Sequence, residues 1–520
     1  MSRRWSNLRC CTVALLASTA AATSASFPEN ANHIFNAVHS SMRQWGSSLN
    51  HNGMSFFLAT VPEGTQLYHG SGSSDPVKSP EWVAFEPEHA LNFAHRRRPP
   101  PGSHDPPPPP RPDGHGPPPP GFHPDFQHVM QDPVDGNKAG FLHTFAAKKD
   151  LRLLYVDGMS AGKTNNGTLD AEDRILFHDQ RSDGNGMAGE EERATEFCRM
   201  ARDRWGGRLD GLIRMEAGFE IILCDLATDM DALRVTRVQS SPNGGPPGSP
   251  GNGKERNPTG NSWVPAVASR YWGIGGNRVI LNYDHFVTAY VYGLDLFGAA
   301  GETERSNSSH VLPRLAHLSA HKLEPMRQDL DALIWNHDAT ERSVDWQAVA
   351  DMVVERYAKR LRYLASGQVP TIEELQEEIE GLVTPFIDYD ARNSSLEVER
   401  CSMQFIRRSA PTTTVAGDAV LSVSRSICAT LLETLRQTEH STAVGQIQDL
   451  VNYLSWSNWK KCTGCGDHEL CVIPMWPMGT VEDYEHPQCR DLSQLEGDGP
   501  RYWGGFPGRR KPAPFRDEDL

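Results

Sequence analysis

The stretch from Thr65 to Ala94 constrains this chain most, because it sets a strand, a tight turn, a second strand and a helix within one short span. Thr65-Gln66-Leu67-Tyr68-His69 reads as an apolar strand that ends on a histidine. Gly70-Ser71-Gly72-Ser73-Ser74 then reads as a turn, since glycine adopts backbone conformations closed to other residues and serine bonds its own main chain. Glu81-Trp82-Val83-Ala84-Phe85 has the aromatic and β-branched composition of a strand. Glu86-Pro87 opens a helix with proline at its first position, on which Ala90 and Phe93 share a face. The order implies a cleft between the histidine turn and that helix.

The chain has 520 residues, enough for two to four domains with a substantial core. Its 66 acidic residues against 51 basic ones leave a formal charge of -15, which argues against nucleic acid or an anionic membrane as partner. Arg3, Arg4 and Arg9, then an apolar run from Cys10 to Ala22 and small residues up to Ala25, predict a secretory leader over residues 1–25. The run is too short to span a bilayer as a stable helix, and no other stretch reaches about 18 apolar residues. A secreted, extracellular protein without a stable membrane anchor is therefore expected.

Export changes the reading of the cysteines. Cys198, Cys224, Cys401, Cys428, Cys462, Cys465, Cys471 and Cys489 remain after the leader, an even number that favours disulfides in an oxidising compartment. Cys401 and Cys428 are near enough in sequence to pair. The last four, with His468 among them, also admit a zinc reading, although two bridges and no metal are expected. Asn166, Asn307 and Asn393 stand in glycosylation sequons.

Along the mature chain, Ile34, Phe35, Val38, Met42 and Trp45 recur at helical spacing, and Phe56 to Ala59 reads as a buried strand. Prolines dominate an insertion at about 97–125, after which strands resume at 140–146 and 151–158. A helix over 190–205 leads to a hairpin over 209–225, whose second strand carries Glu220 ahead of Ile221 to Cys224, and a further strand covers 233–238. Residues 241–262 form a Gly/Pro-rich linker, residues 263–460 read as mainly helical, and a Cys-rich tail covers 461–520. Asp157 to Thr164 ends like a phosphate-binding loop, but the first required glycine is an aspartate and no apolar helix follows.

The succession Tyr-His-Gly-Ser, an aromatic strand running into Glu-Pro-x-x-Ala-x-x-Phe-Ala, a Leu-Arg-Leu-Leu strand and a hairpin with glutamate before an apolar strand resembles the ADP-ribosyltransferase fold. The branch it is most similar to contains diphtheria toxin and the poly-ADP-ribose polymerases. The chain as a whole also resembles secreted proteins of filamentous fungi. The family resemblance implies an α+β fold in which residues 27–240 form a split, mixed β-sheet domain, followed by the helical domain and the tail. It implies NAD as substrate, His69 and Gly70 holding it, Trp82 and Phe93 stacking on nicotinamide, and Glu220, together with His69, as catalytic. Trp82 and Phe93 replace family tyrosines and so lose the hydroxyls.

Breaking the nicotinamide-ribose bond builds positive charge on the sugar, which a carboxylate such as Glu220 stabilises more in the transition state than in the ground state. Glu216, four residues earlier, competes for that role. The expected activity is an NAD-dependent ADP-ribosyltransferase, a glycosyl transfer with an unidentified acceptor such as a protein, or an NAD glycohydrolase. The alternative is a non-catalytic extracellular binding or structural glycoprotein that keeps the fold.

Overall fold

The computed structural model describes residues 29–94, 140–164, 166–179, 189–238, 263–298, 312–491 and 502–503. The leader, the proline-rich insertion, the linker, Asn307 and most of the chain after 491 lie outside the described residues.

The architecture is mixed α and β, a large sheet followed by helices. The chain enters through α1 (Ala31–Ser40) and α2 (Gln44–Leu49). The single helix expected here breaks because Met42 takes a left-handed φ of 52°, which turns Trp45 away from the α1 stripe into a separate cluster with Trp263 and Tyr271. Strands β1 (Asn52–Val61), β2 (Gln66–Ser71) and β3 (Glu81–Ala84) lead to α3 (Pro87–Leu91), with proline in its first turn. Next come β4 (Phe141–Ala147), β5 (Leu151–Gly158), a π-helix (Glu172–Leu176) and α4 (Glu190–Asp203). The hairpin β6 (Gly211–Glu216) and β7 (Gly218–Leu223), α5 (Leu226–Asp229) and β8 (Met230–Arg237) complete this part.

After α6 (Trp263–Ala268), a strand absent from the sequence reading appears, β9 (Ile280–Thr288). The sheet runs β8-β4-β2-β3-β7-β6-β5-β1-β9, antiparallel at every pair except β5 with β6. The expected split is thus replaced by one continuous order of nine strands, and its last strand comes from beyond the linker. Alternation in β9 is interrupted by a register shift opposite Phe57 and Ala59, which hid the strand's two-residue period.

The helices that follow are α7 (Ala320–Asn336), α8 (Trp346–Ala365), α9 (Ile372–Val383), α10 (Ser394–Ser402), α11 (Val415–Thr434) and α12 (His440–Leu454). Asp345, Thr371, Asn393 and Thr414 cap four of them, each accepting from a backbone N-H three residues on. One face of the sheet, through Phe57, Leu67, Tyr155 and Ile221, shares its core with α1 and helices α8, α9, α11 and α12. The other face, through Phe56, Leu154, Leu212 and Ile222, is covered by the π-helix, α4 and α7. α11 is long and apolar enough to cross a membrane, and its buried residues, Val420, Ile427 and Leu431 among them, place it in the first core.

The tail forms β10 (Glu469–Val472), α13 (Val481–Glu485) and β11 (Gln488–Asp491). Disulfides join Cys198 to Cys224, Cys401 to Cys428, Cys462 to Cys471 and Cys465 to Cys489.

Candidate functional site

The strands carrying His69, Trp82 and Glu220 lie side by side as β2, β3 and β7. Their register sets Tyr68 opposite Ala84 and Ala84 opposite Glu220. Directly paired residues share a face and successive residues alternate, so Tyr68 shares the face of Glu220 while His69 points to the other. His69 shares its face with Leu67, which is in the first core, whereas Glu220 shares its own with Ile222 in the second. Sequence order had suggested one groove; the register does not bring His69 and Glu220 to it.

Each remaining candidate has a place. His69 Nδ1 is 2.8 Å from the Trp82 carbonyl oxygen, to which it donates, and 3.8 Å from Glu81. Trp82 pairs with Ile222 and packs against the second core. The Phe93 ring lies 6.1 Å from that of His89. Gly70 is closed over: a Cβ there would overlap the Ala90 carbonyl oxygen of α3. The glycine serves the close seating of a helix on β2, and the cleft implied between the histidine turn and this helix is closed at that point.

Glu220 belongs instead to a buried charge network. Arg214, next to it across the hairpin, donates through Nη2 to Glu220 Oε1 and to Glu190 Oε2, both at 2.6 Å, and through Nη1 to Glu172 at 3.3 Å. Arg193 reaches Glu172 at 3.3 Å and Asp173 at 2.7 Å. Lys163, from the loop that resembled a phosphate site, lies 3.3 Å from Glu216 and 3.8 Å from Glu190. His89 Nε2 is 3.7 Å from Glu216, an ion pair beyond hydrogen-bond reach. At Gly218, the first residue of β7, a Cβ would press on the His89 imidazole.

Burial opposes ionisation throughout this network, and neighbours decide who yields. Arg214, Lys163 and Arg193 overcome burial at Glu190 and hold its carboxyl at about 2. Lys163 and His89 likewise lower Glu216. At Glu220 burial prevails over Arg214, helped by Glu216 and Glu190, and its carboxyl is raised. Burial also opposes a charged His89, but Glu216, Glu220 and Glu86 outweigh it and raise the imidazole. Glu172, Asp173, Glu190, Glu216 and Glu220 thus face Arg193, Arg214, Lys163 and His89, whose imidazole its neighbours hold toward the protonated form.

These partners were missed in the sequence because they come from separate segments. One signal was legible: Arg214 sits inside the apolar run Leu212-Ile213-Arg214-Met215 of a buried strand, where a charge requires partners. Asn92, one turn after His89, is also buried, and among the described residues neither of its side-chain polar atoms has a hydrogen-bond partner.

Two groups have ligand spacing for a metal. Cys462, Cys465 and Cys489 are committed to the two tail disulfides, which displaces the zinc reading. His285 and His337 stack at 3.7 Å, and His337 Nδ1 is 3.2 Å from Glu341, whose other oxygen accepts from Asp338 N. Glu341 is thus already engaged in closing the turn at Asp338.

Residues 27–243, which carry β1 to β8, match a family described as the YPL277C N-terminal domain. Two Saccharomyces cerevisiae proteins, described as Uncharacterized protein YPL277C and Uncharacterized protein YOR389W, are each 34% identical to this chain over 209 residues, 39% of its length. The match spans 42% of the first relative and 32% of the second, and no solved structure matches the chain.

Proposed function

We propose that this chain is a secreted, disulfide-braced glycoprotein with a binding or structural role, in which the strand succession of an ADP-ribosyltransferase-like domain is kept without the chemistry. The observation that carries this reading is the pairing of Glu220 with Arg214 on the sheet face away from His69. A carboxyl group that resists ionisation, is already hydrogen-bonded to a guanidinium and is nearly sealed from solvent offers little to a developing oxocarbenium ion. Four disulfides among the described residues support folding in an oxidising compartment. Asn393 is an exposed sequon asparagine whose carbonyl oxygen caps α10 and whose amide nitrogen remains available to a glycan. Incubating the purified chain with NAD is expected to release no nicotinamide. A glycosidase-sensitive mass shift that disappears in Asn393→Gln is expected for the exported form.

The second reading is an enzyme cleaving the nicotinamide-ribose bond of NAD, with water or a protein as acceptor. It is favoured by the adjacency of β2, β3 and β7 and by the raised carboxyl of Glu220 beside Glu216. Turnover of NAD that falls by roughly 10² to 10³ in Glu220→Gln would establish this reading in place of the first.

A further inference from the structure

Away from the charge network, α1 turns a second face toward a cavity of about 160 Å³. Ile34, Phe35 and Val38 enter the first core, whereas His33, Asn36, Ala37 and Ser40, at i, i+3, i+4 and i+7, line the cavity. His33 stacks on Tyr290 with centroids 5.0 Å apart and planes 13° apart, and meets Phe297 at 5.0 Å. The floor is Asp157 and Gly158 at the end of β5, across from Asn52 at the start of β1. The register of β1 shifts between Asn52 and Phe56, and Asp157 Oδ1 accepts from Ser55 N at 2.8 Å at that irregularity. Such bulges re-aim side chains and are enriched beside binding sites.

We infer that this cavity binds an uncharged polyhydroxyl molecule of monosaccharide size, held by the amides and hydroxyls of α1 and the β1–β5 end against an aromatic wall. The inference rests on the binding reading above and gives it a ligand class.

Size, lining and charge agree. A cavity of about 160 Å³ has room for several ordered waters, and so for a small polyhydroxyl ligand in their place. Among the described residues the lining holds no lysine or arginine to meet an anion. Burial pushes the His33 imidazole down to about 4 and the Asp157 carboxyl up to about 7, so near neutral pH His33 is uncharged, Asp157 stands near its midpoint, and the walls offer both donors and acceptors. An apolar gap left by imperfect packing would be lined by aliphatic side chains, whereas Asn36, Asn50, Asn52, Ser40 and Ser455 face this one.

The test is saturation-transfer NMR and calorimetry on the full chain with D-glucose, D-mannose, D-galactose and D-xylose, beside D-glucuronate. At least one neutral sugar is expected to bind saturably, with D-glucuronate, which meets Asp157 and no described basic side chain, weaker by about tenfold or more. Ala37→Trp, which fills the cavity from α1, and Asn36→Ala, which removes a polar wall group along with its 3.0 Å bond to the Leu454 carbonyl, are each expected to weaken binding at least about tenfold in protein that remains folded. If no neutral sugar binds, or if binding survives both substitutions in folded protein, the cavity holds water only and the inference is overturned. Release of nicotinamide from NAD would overturn the non-catalytic reading alone, because the sugar titration reads a different cavity.

Discussion

Arg214 Nη2 stands 2.6 Å from Glu220 Oε1 with the two residues directly paired across the β6–β7 hairpin, and neither side chain is appreciably exposed. The two members are unequal. Arg214 also serves Glu190 and Glu172, whereas the raised Glu220 carboxyl already resists ionisation. Arg214→Met therefore leaves several buried carboxylates uncompensated and is expected to destabilise the fold by about 3–5 kcal/mol. Glu220→Gln keeps the size and an acceptor for Arg214 and should cost about 1 kcal/mol. Urea denaturation of both variants checks this, and an equal or reversed ranking would show that Arg214 does not organise the network.

Gly70 discriminates between packing and ligand binding. If the glycine exists to seat α3, Gly70→Ala forces the Ala90 carbonyl away and is expected to destabilise by about 1–3 kcal/mol, as overpacking does. Were the position instead open for a ligand, the alanine variant would keep its Tm and lose only binding. Calorimetric unfolding separates the two.

The acid limb of stability should trace to Glu190. Its carboxyl is near 2 in the folded chain against an ordinary 4.5, so its contribution is complete above about 4.5 and lost as pH falls toward 2. Glu216, also lowered, acts in the same direction. His89 has the opposite sign: its raised imidazole contributes stability below about 6.5 that is lost as pH rises through its folded value. In Glu190→Gln the loss of stability between pH 5 and 2 is expected to be shallower than in the parent, measured as the urea midpoint at each pH.

The four bridges should differ in weight. Cys401 and Cys428 close 27 residues and Cys462 and Cys471 close 9, so chain entropy assigns them about 3.5 and about 2.5 kcal/mol. Replacing each pair by serine and comparing Tm checks the order. Mass spectrometry of unreduced protein should find no free thiol among the eight cysteines.

Much of the local structure is legible in the residues themselves. Pro87 after Glu86 starts α3, Thr371 caps α9, and the stripe Val353, Tyr357, Leu361 and Leu364 becomes the buried side of α8. These follow from rules that span a few residues: proline at a first helical turn, a hydroxyl bonding the third N-H on, and the helical repeat. Even Cys401 with Cys428, close along the chain, was within reach of such reasoning.

What tertiary structure decided is which faces and segments meet. The sequence places His69 and Glu220 in a familiar order, but the face each takes depends on register across β2, β3 and β7, and a shift of one residue exchanges the faces. Lys163, Glu172, Glu190 and Arg214 come from four separated segments, and no local pattern announces that they neutralise one another. β9 joins the sheet from beyond the linker because β1 presents a free edge there, a fact that belongs to the assembled sheet. The same holds for α1, whose apolar stripe is written in its residues while the polar stripe of His33, Asn36 and Ser40 acquires a cavity only where the end of β5 closes opposite it. Helical and strand preference act over a turn or a pair of residues, whereas register, burial of charge and the shape of a cavity are set by contacts between residues far apart in the chain.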